Sequence, residues 1–422
     1  MLELTWPGKS AAGRRAVDEL NETRLVSWSP QCRLTAECRP LIGDSVHRVI
    51  AGDNLPVLKC LRSSGARYDV IYIDPPYNTG STLTYNDKKQ GKSSDGGASA
   101  AWLTEIYPRL LLARELLCES GVLFVSIDDH EACHLLTILR EIFGHANHIG
   151  TIKWRRKRKP SFLDRHMSAL FEYVVVFARD AKSCPRLLGG DTEESTRPVL
   201  NASNKIVERI IPEGFQAFCA DGRYPAGEYK NRSLAFQLLD ELSVAGGQTK
   251  SAARVRGPFR IQQDLWAETG FITKHFGLRR RVLPSERKRR HAEDDGTNWP
   301  TNEDAQEELQ SIFGERVFDF PKPVGLLSQL LAMVPCTDTS RPQRCLDFYA
   351  GSGSFLIAAL EQSRADGHTR TVDLVQNRES VRAGGAFQFT DIAEICAHRV
   401  CVDSTRRGFT ADFDFLQLEQ QE

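Results

Sequence analysis

The feature that most constrains this chain is an alternation of short buried strands and amphipathic helices at both ends of the sequence, interrupted in the middle. In the first half, HRVIAGD (47–53), YDVIYID (68–74) and VLFVSID (122–128) are apolar runs of strand length, rich in β-branched residues. Between them fall a short helix, LPVLKCLR, and a helix from Trp102 to Leu117 that Gly121 closes off. Glu131–Phe143 is amphipathic and predicts another helix, and HIGTIKW and EYVVVFAR read as two strands joined across a basic segment. The pattern resumes near the other end. A helix over 322–334 is opened near its start by Pro323, where proline is tolerated. RCLDFYAGSGSFLIAAL then reads as strand, glycine turn and helix, 370–376 as a strand, and FTDIAEICAHRV as a last helix. Strands that are apolar throughout must be covered on both faces, so the expectation is a doubly wound, mostly parallel α/β sheet.

From 181 to 315 the periodicity weakens while glycine, proline and charge rise, which predicts an inserted domain between a first part (46–180) and a last part (316–422) of one fold. Residues 1–45 show no clear period and are expected at the periphery. The charge balance agrees with an insert. The chain carries 55 Lys+Arg against 55 Asp+Glu, yet residues 151–300 hold 28 basic and 18 acidic side chains and the remainder is acidic by the same margin. One basic cluster comprises Lys153, Arg155, Arg156, Lys157, Arg158 and Lys159, and a second begins with Arg279, Arg280 and Arg281. A phosphate-binding surface is the sharper reading and a solvated face the plainer one. Trp154, Phe162, Phe259, Phe271 and Phe276 lie among these charges, which suits nucleic acid only weakly.

Composition excludes several classes. With 41% apolar and 26% charged residues the chain is not mostly disordered. No apolar run approaches the ~20 residues of a membrane span, and the opening MLELTWPGKSAAGRR lacks the apolar core of a signal peptide. Eleven cysteines, none in a CxxC pair, argue against zinc and point to a reducing cytoplasm without a membrane partner.

Two motifs carry chemistry. DFYAGSGSF (347–355) sets a glycine turn between an apolar strand and an apolar helix, where Gly351 and Gly353 let backbone approach a ligand at a helix N-terminus. The third glycine of the dinucleotide fingerprint is missing, so NAD is not favoured. DPPYNTG (74–80) directly follows a buried strand, and the carboxyl end of such a strand is where ligands bind in an open α/β sheet. It supplies a carboxylate, two prolines that fix the backbone and an aromatic ring. Residues 78–100 after it read as a long polar loop. His166 and the Asp128, Asp129, His130 run would permit a metal or a general base, and we assign neither.

DPPY followed far downstream by an FxGxG-like turn resembles the β-class DNA amino-methyltransferases. Three flanking segments are similar to the modification subunits of type III restriction–modification systems: AGDNLPVLKCL, WLTEIYPRLLLARELLCESGVLFVSIDDHE and FPKPV. The similarity spans 46–180 and 296–400. Two departures are Phe355, where the family usually carries a small hydroxyl residue, and a shorter chain. The resemblance implies a circularly permuted, seven-stranded Rossmann-like methyltransferase fold with an inserted target-recognition region. It implies S-adenosyl-L-methionine as cofactor and double-stranded DNA as substrate, and it leaves open a homodimer and a separate restriction subunit.

By the same resemblance, the catalytic group is Asp74, Pro75, Pro76 and Tyr77. Asp74 and the carbonyl of Pro75 or Pro76 would accept hydrogen bonds from an adenine N6 amino group, with Tyr77 stacked on the flipped base. Asp53, Lys322, Phe348, Ala350, Gly351, Gly353 and Glu379 would contact the cofactor, Lys322 near its carboxylate and Glu379 at its ribose. Asp53 also reads as a helix N-cap, Phe348 as core and Glu379 as a surface charge. Cytosine N4 remains an alternative target, although serine usually precedes PPY in those enzymes. A catalytically silent DNA-binding subunit is the alternative from another class.

Overall fold

The computed structural model describes residues 3–18, 23–28, 47–78, 95–160, 166–191, 196–231, 234–281, 289–381, 389–409 and 412–420. The loop expected after Asn78 falls mostly on 79–94, outside the described residues, as do Thr79, Gly80 and Phe162. The chain divides into two units. One joins Met1–Leu188 to His291–Glu422, and the other is Gly189–Arg290.

The first unit is built on one mixed sheet. Its strands are β1 (Thr23–Ser27), β2 (His47–Ala51), β3 (Tyr68–Ile73), β4 (Leu117–Ile127), β5 (His148–Arg155), β6 (Phe171–Ala178), β7 (Asp295–Gly296), β8 (Gln343–Asp347), β9 (Arg370–Gln376) and β10 (Phe413–Gln420). Their order is β1-β10-β2-β9-β8-β3-β4-β6-β5-β7. The run β2-β9-β8-β3-β4 is parallel throughout, and β6 lies antiparallel between β4 and β5. These seven strands are the expected core. Three further strands extend its edges: β10 and β1 beyond β2, and the two-residue β7 beyond β5. The central strand β8 comes late in the chain, so the fold is permuted relative to its spatial order.

Alternation along β3 explains how the sheet is covered. Val70 and Tyr72 point into a core shared with α6 (Val324–Met333), α7 (Ser354–Asp366) and α8 (Ile392–Arg406), through Leu327, Leu356 and Ala397. Ile71 and Ile73 point into the opposite core, shared with α2 (Asn54–Ser63), α3 (Asp95–Leu116) and α4 (Ala132–Phe143), through Leu58, Leu110 and Ile138. Both faces of the strand are therefore dry, which is why its sequence is apolar without alternation. The remaining helices of this unit are α1 (Lys9–Val17) and α5 (Asn302–Phe313); the latter opens on a Thr301–Asp304 capping box.

Several boundaries differ from expectation, among them the start of α3 at Asp95, which makes residues 95–100 of the expected loop helical. Gly121 does not separate helix from strand, because α3 ends at Leu116 and β4 begins at once, with Gly121 inside it. A Cβ there would stand 2.9 Å from the Cys118 carbonyl oxygen and 3.0 Å from that of Tyr68, so close backbone approach requires glycine. The inserted unit is also narrower than 181–315. Its limits are Gly189–Arg290, because α5 belongs to the first unit, where Leu309 and Phe313 pack on Ile395 and Phe389.

The second unit consists of short antiparallel strands and one helix, Gln263–Thr269. Its core centres on Trp266, Phe236, Phe215 and Phe276. Phe259, Phe271 and Phe276 are buried there, and Trp154 is fully buried in the first unit. The described aromatics interleaved with the charges are therefore core residues, which removes them as stacking platforms.

Candidate active site

The register of the sheet brings the two motifs together. Strands β8 and β3 are parallel neighbours with Asp347 opposite Tyr72, so the glycine turn and Asp74 leave the sheet at the same edge. On either side of this seam the chain winds away in opposite directions. Such a switch point is where an open α/β sheet offers a crevice.

Asp74 sits in a cluster of paired charges. Tyr77 donates its hydroxyl to Asp74 Oδ1 at 2.6 Å. Lys322, from the segment entering α6, places Nζ 3.1 Å from the same oxygen, 2.8 Å from Tyr77 Oη and 3.1 Å from Glu172 Oε2. Arg156 holds the other Glu172 oxygen at 2.9 Å. Among the described residues none donates to Asp74 Oδ2, and the Asp74 side chain is 22% exposed. One oxygen is thus anchored, and the other has no donor among the described residues.

Burial lifts the Asp74 carboxyl above its usual range; Lys322 opposes the shift, Glu172 adds to it and the Tyr77 hydrogen bond opposes it. Burial also works against the Lys322 ammonium, but Asp74 and Glu172 outweigh it and the group stays above the ordinary lysine value. Asp347 is lifted well above the carboxylate range by burial, against a hydrogen bond from the Tyr349 N–H (2.9 Å) and with Asp74 adding to the rise.

The backbone of the motif is pinned as well. Trp102 Nε1 donates to the Pro76 carbonyl at 2.6 Å. Asn78 has φ 57°, in the left-handed region, and its side chain donates to the buried Glu131 at 2.7 Å. Ser99 and His134 reach the same carboxylate at 2.8 and 2.7 Å. Sequence reasoning does not find Trp102, Glu131 and Glu172. Their signal is present as an aromatic or acidic residue adjoining an apolar run, but only the fold relates them to Asp74.

The glycine turn has its own supports. Gly351 (φ 54°) donates its N–H to Gln376 Oε1 at 2.7 Å, and Ala350 N–H reaches the Val375 carbonyl at 3.2 Å. The fully buried Arg399 of α8 donates to Ser352 Oγ (2.7 Å) and Ser354 Oγ (2.6 Å). Phe348 buries its ring in the core, so only its backbone belongs to the turn; its carbonyl accepts from Asn54 Nδ2 at 2.7 Å. Asp53 caps α2 through the Leu55 N–H (3.0 Å) and is held by Arg109 at 2.9 Å, with its side chain 53% exposed. Glu379 follows β9, the strand beside β2, and is partly buried. Two carboxylates after the adjacent strands β2 and β9, beside the left-handed glycine turn that follows β8, form an acceptor set that suits the hydroxyl and amino groups of an adenosine-like ligand.

The basic residues are placed unevenly. Arg156 is committed to Glu172, and Arg158 to Asp304 and to Glu307 (2.8 Å). Arg155 donates to the carbonyls of Lys157 (3.2 Å) and Arg158 (2.8 Å). Lys153 and Lys159 are exposed and Lys157 is partly so. In the second unit Arg279 donates to Thr196, Arg280 is buried, and Arg281 is exposed and donates to Gln216. His130 lies 2.8 Å from Asp128, and His166 is exposed.

A family model described as DNA methylase matches residues 68–366. The Mod subunit of the type III restriction-modification enzyme StyLTI from Salmonella typhimurium is 30% identical over 366 residues, covering 76% of this chain and 51% of that protein. This chain therefore spans about half the length of that relative. The type II methyltransferase M.KpnI of Klebsiella pneumoniae is 27% identical over 364 residues, covering 79% of this chain and 81% of that protein. Among solved structures, the cytosine-N4-specific PvuII DNA methyltransferase aligns at 12% identity with a TM-score of 0.40, covering 88% of this chain and 95% of the other.

Proposed function

This chain belongs to the DNA methylase family, and we propose that it methylates the N6 amino group of adenine in double-stranded DNA at a specific sequence. The observation that carries this reading is the half-open carboxylate. Asp74 Oδ1 is held by Tyr77 and Lys322 while Oδ2 is left to a ligand. The Pro76 carbonyl already accepts from Trp102, which supports Pro75 as the second acceptor.

An adenine N6 amino group is a poor nucleophile because its lone pair is delocalised into the ring. Asp74 Oδ2 accepts one N–H and the Pro75 carbonyl the other. This localises the lone pair on nitrogen and offsets the positive charge that grows there as the nitrogen–carbon bond forms, the kind of preorganised electrostatics that often dominates catalysis. The surplus proton of the methylated amine then passes to water. S-adenosyl-L-methionine, when bound, supplies the electrophilic methyl group, whose bond to sulfur breaks as the bond to nitrogen forms, leaving the neutral thioether S-adenosyl-L-homocysteine. Asp53, the Phe348–Gly353 turn and Glu379 would hold it. Because Lys322 spends its ammonium on Asp74, Tyr77 and Glu172, we assign it to the catalytic carboxylate rather than to the cofactor's carboxylate.

The target atom is out of reach inside a duplex, so the base must be flipped out, at a cost of a few kcal/mol. The Tyr77 ring, with Lys322 Nζ 5.0 Å from its centroid, is the aromatic we assign to the flipped base. The Gly189–Arg290 unit would read the sequence. The Mod name of the StyLTI relative supports a place in restriction–modification with a separate restriction subunit, and self-association into a dimer stays part of the proposal. The test is transfer of labelled methyl from S-adenosyl-L-methionine into unmethylated duplex DNA, followed by nucleoside analysis. N6-methyladenine is expected. N4-methylcytosine would shift the assignment to the other amino target, and no incorporation would leave a silent DNA-binding subunit.

A further inference from the structure

The ammonium of Lys322 has three N–H groups and three acceptors: Tyr77 Oη at 2.8 Å, Asp74 Oδ1 at 3.1 Å and Glu172 Oε2 at 3.1 Å. Two carboxylates therefore divide one cation. Glu172 is 2% exposed and its second oxygen is bound by Arg156 at 2.9 Å. The charges alternate along a line, Arg156, Glu172, Lys322, Asp74, whose two middle members are buried, and end at the reacting carboxylate. Strand β6 puts Glu172 there by running antiparallel to β5, with Glu172 opposite Trp154, whose ring lies 5.5 Å from Lys322 Nζ.

We propose that Glu172 is a positioning residue for methyl transfer, holding Lys322 at a shared point so that Asp74 is anchored without being neutralised. The inference deepens the reading of Asp74 as acceptor of the base amino group, and it rests on that reading. A lysine with no second carboxylate would settle fully on Asp74. The carboxylate would then be a poorer acceptor, because its charge would already be spent on an ammonium in a partly buried site. With Glu172 in place the ammonium is drawn between two anions, and Oδ2 keeps enough negative charge to polarise the amine. The arrangement also explains why a glutamate survives at a buried position on an otherwise apolar strand: an unpaired carboxylate there would be costly, and two cations offset it.

The experiment uses the full chain and the isosteric variant Glu172→Gln, assayed for methyl transfer into unmethylated duplex DNA across pH. The expected result is a fall in kcat of tenfold or more with KM for DNA and Kd for S-adenosyl-L-methionine within about twofold of wild type. The acid limb of kcat should move to lower pH, because Asp74 loses a neighbouring negative charge and keeps the whole of Lys322. The other titratable groups around Asp74 are Tyr77, Tyr72 and Asp347, and the variant leaves them in place. Glu172→Asp, which keeps the charge within reach of a flexible lysine, should recover part of kcat. If Glu172→Gln does not fold, Lys322→Gln carries the test, since removing the cation leaves two facing carboxylates and must move the acid limb to higher pH. An unmoved limb in the folded variant, with an active wild type, overturns the proposal. A wild-type chain that transfers no methyl to adenine overturns instead the reading beneath it.

Discussion

The two glycines of the AGSG turn face different surroundings, and substituting each separates a structural from a ligand-facing role. Both have positive φ, 54° at Gly351 and 83° at Gly353, so alanine at either position carries a left-handed backbone cost of roughly 1 kcal/mol. Their surroundings diverge from there. A Cβ on Gly353 would stand 2.8 Å from Val400 Cγ1 and 3.2 Å from Cys396 Sγ, inside the packed contact between the turn and α8. Overpacking of a dense core adds about 1–3 kcal/mol. A Cβ on Gly351 would meet the Phe318 ring at 3.4 Å and the Tyr349 carbonyl oxygen at 4.0 Å, both ordinary contacts. Gly353→Ala should therefore lose roughly 2–4 kcal/mol of stability and Gly351→Ala roughly 1 kcal/mol. For a unit this large, that is a melting point lower by a few degrees in the first case and by about one or two in the second. Differential scanning calorimetry of both variants, with isothermal titration of S-adenosyl-L-methionine, reads the two effects. The expected pattern is a destabilised Gly353→Ala chain and a folded Gly351→Val chain whose cofactor affinity is weakened, because a β-branched side chain at the half-buried Gly351 would stand in the ligand's path. Equal melting losses at the two positions would refute the packing argument. Unchanged affinity in Gly351→Val would refute the ligand-facing one.

Asp74→Ala should reduce kcat by ~100-fold or more while leaving cofactor binding intact, measured by labelled-methyl kinetics and titration calorimetry. Because burial raises the Asp74 carboxyl, activity should fall as pH drops through a value above that of an exposed aspartate: once protonated, the group no longer offers an anionic acceptor to the amine, and a pH–kcat profile reads the limb directly. Neutralising the exposed Lys153 and Lys159 together with Lys157 should weaken binding to unrelated duplexes alike and reduce the salt slope by ~0.9 per lost phosphate contact. A Lys-to-Gln triple variant with the wild-type slope would move the DNA surface elsewhere. Neutralising Arg158 instead should change the salt slope little, since that side chain is spent on Asp304 and Glu307. Exchanging Gly189–Arg290 for the corresponding unit of a relative should change the methylated sequence and keep the same base, which sequencing of the modified sites reads out.

Legibility in the sequence follows the range of the interaction that fixes each residue. Strands β3 and β8, buried on both faces, announce themselves as unbroken apolar runs, and the turns after them carry proline and glycine whose backbone requirements are local. Asp74 and Gly353 are therefore legible from the chain alone. Gly121 reads as a helix stop because its requirement is only partly local: besides the Cys118 carbonyl three residues back it must admit the Tyr68 carbonyl from the neighbouring strand, and a turn signal and a close-approach signal look alike in one dimension. Strand β10 escapes a reading by local pattern because it completes a sheet edge beside β2 and β1. Lys322 is visible in the sequence, but its neighbours are not. Its environment is set by Glu172, 150 residues away, and by Tyr77, 245 away. Arg156 shows the same limit from the other side. Within a cluster of six cations it reads as one more phosphate ligand, yet the chain leaving β5 turns it inward onto Glu172. A charge cluster in sequence is a sum over side chains whose directions only the sheet decides. Its exposed lysines, Lys153 and Lys159, stay available to an anionic ligand, while its inward member is spent on Glu172.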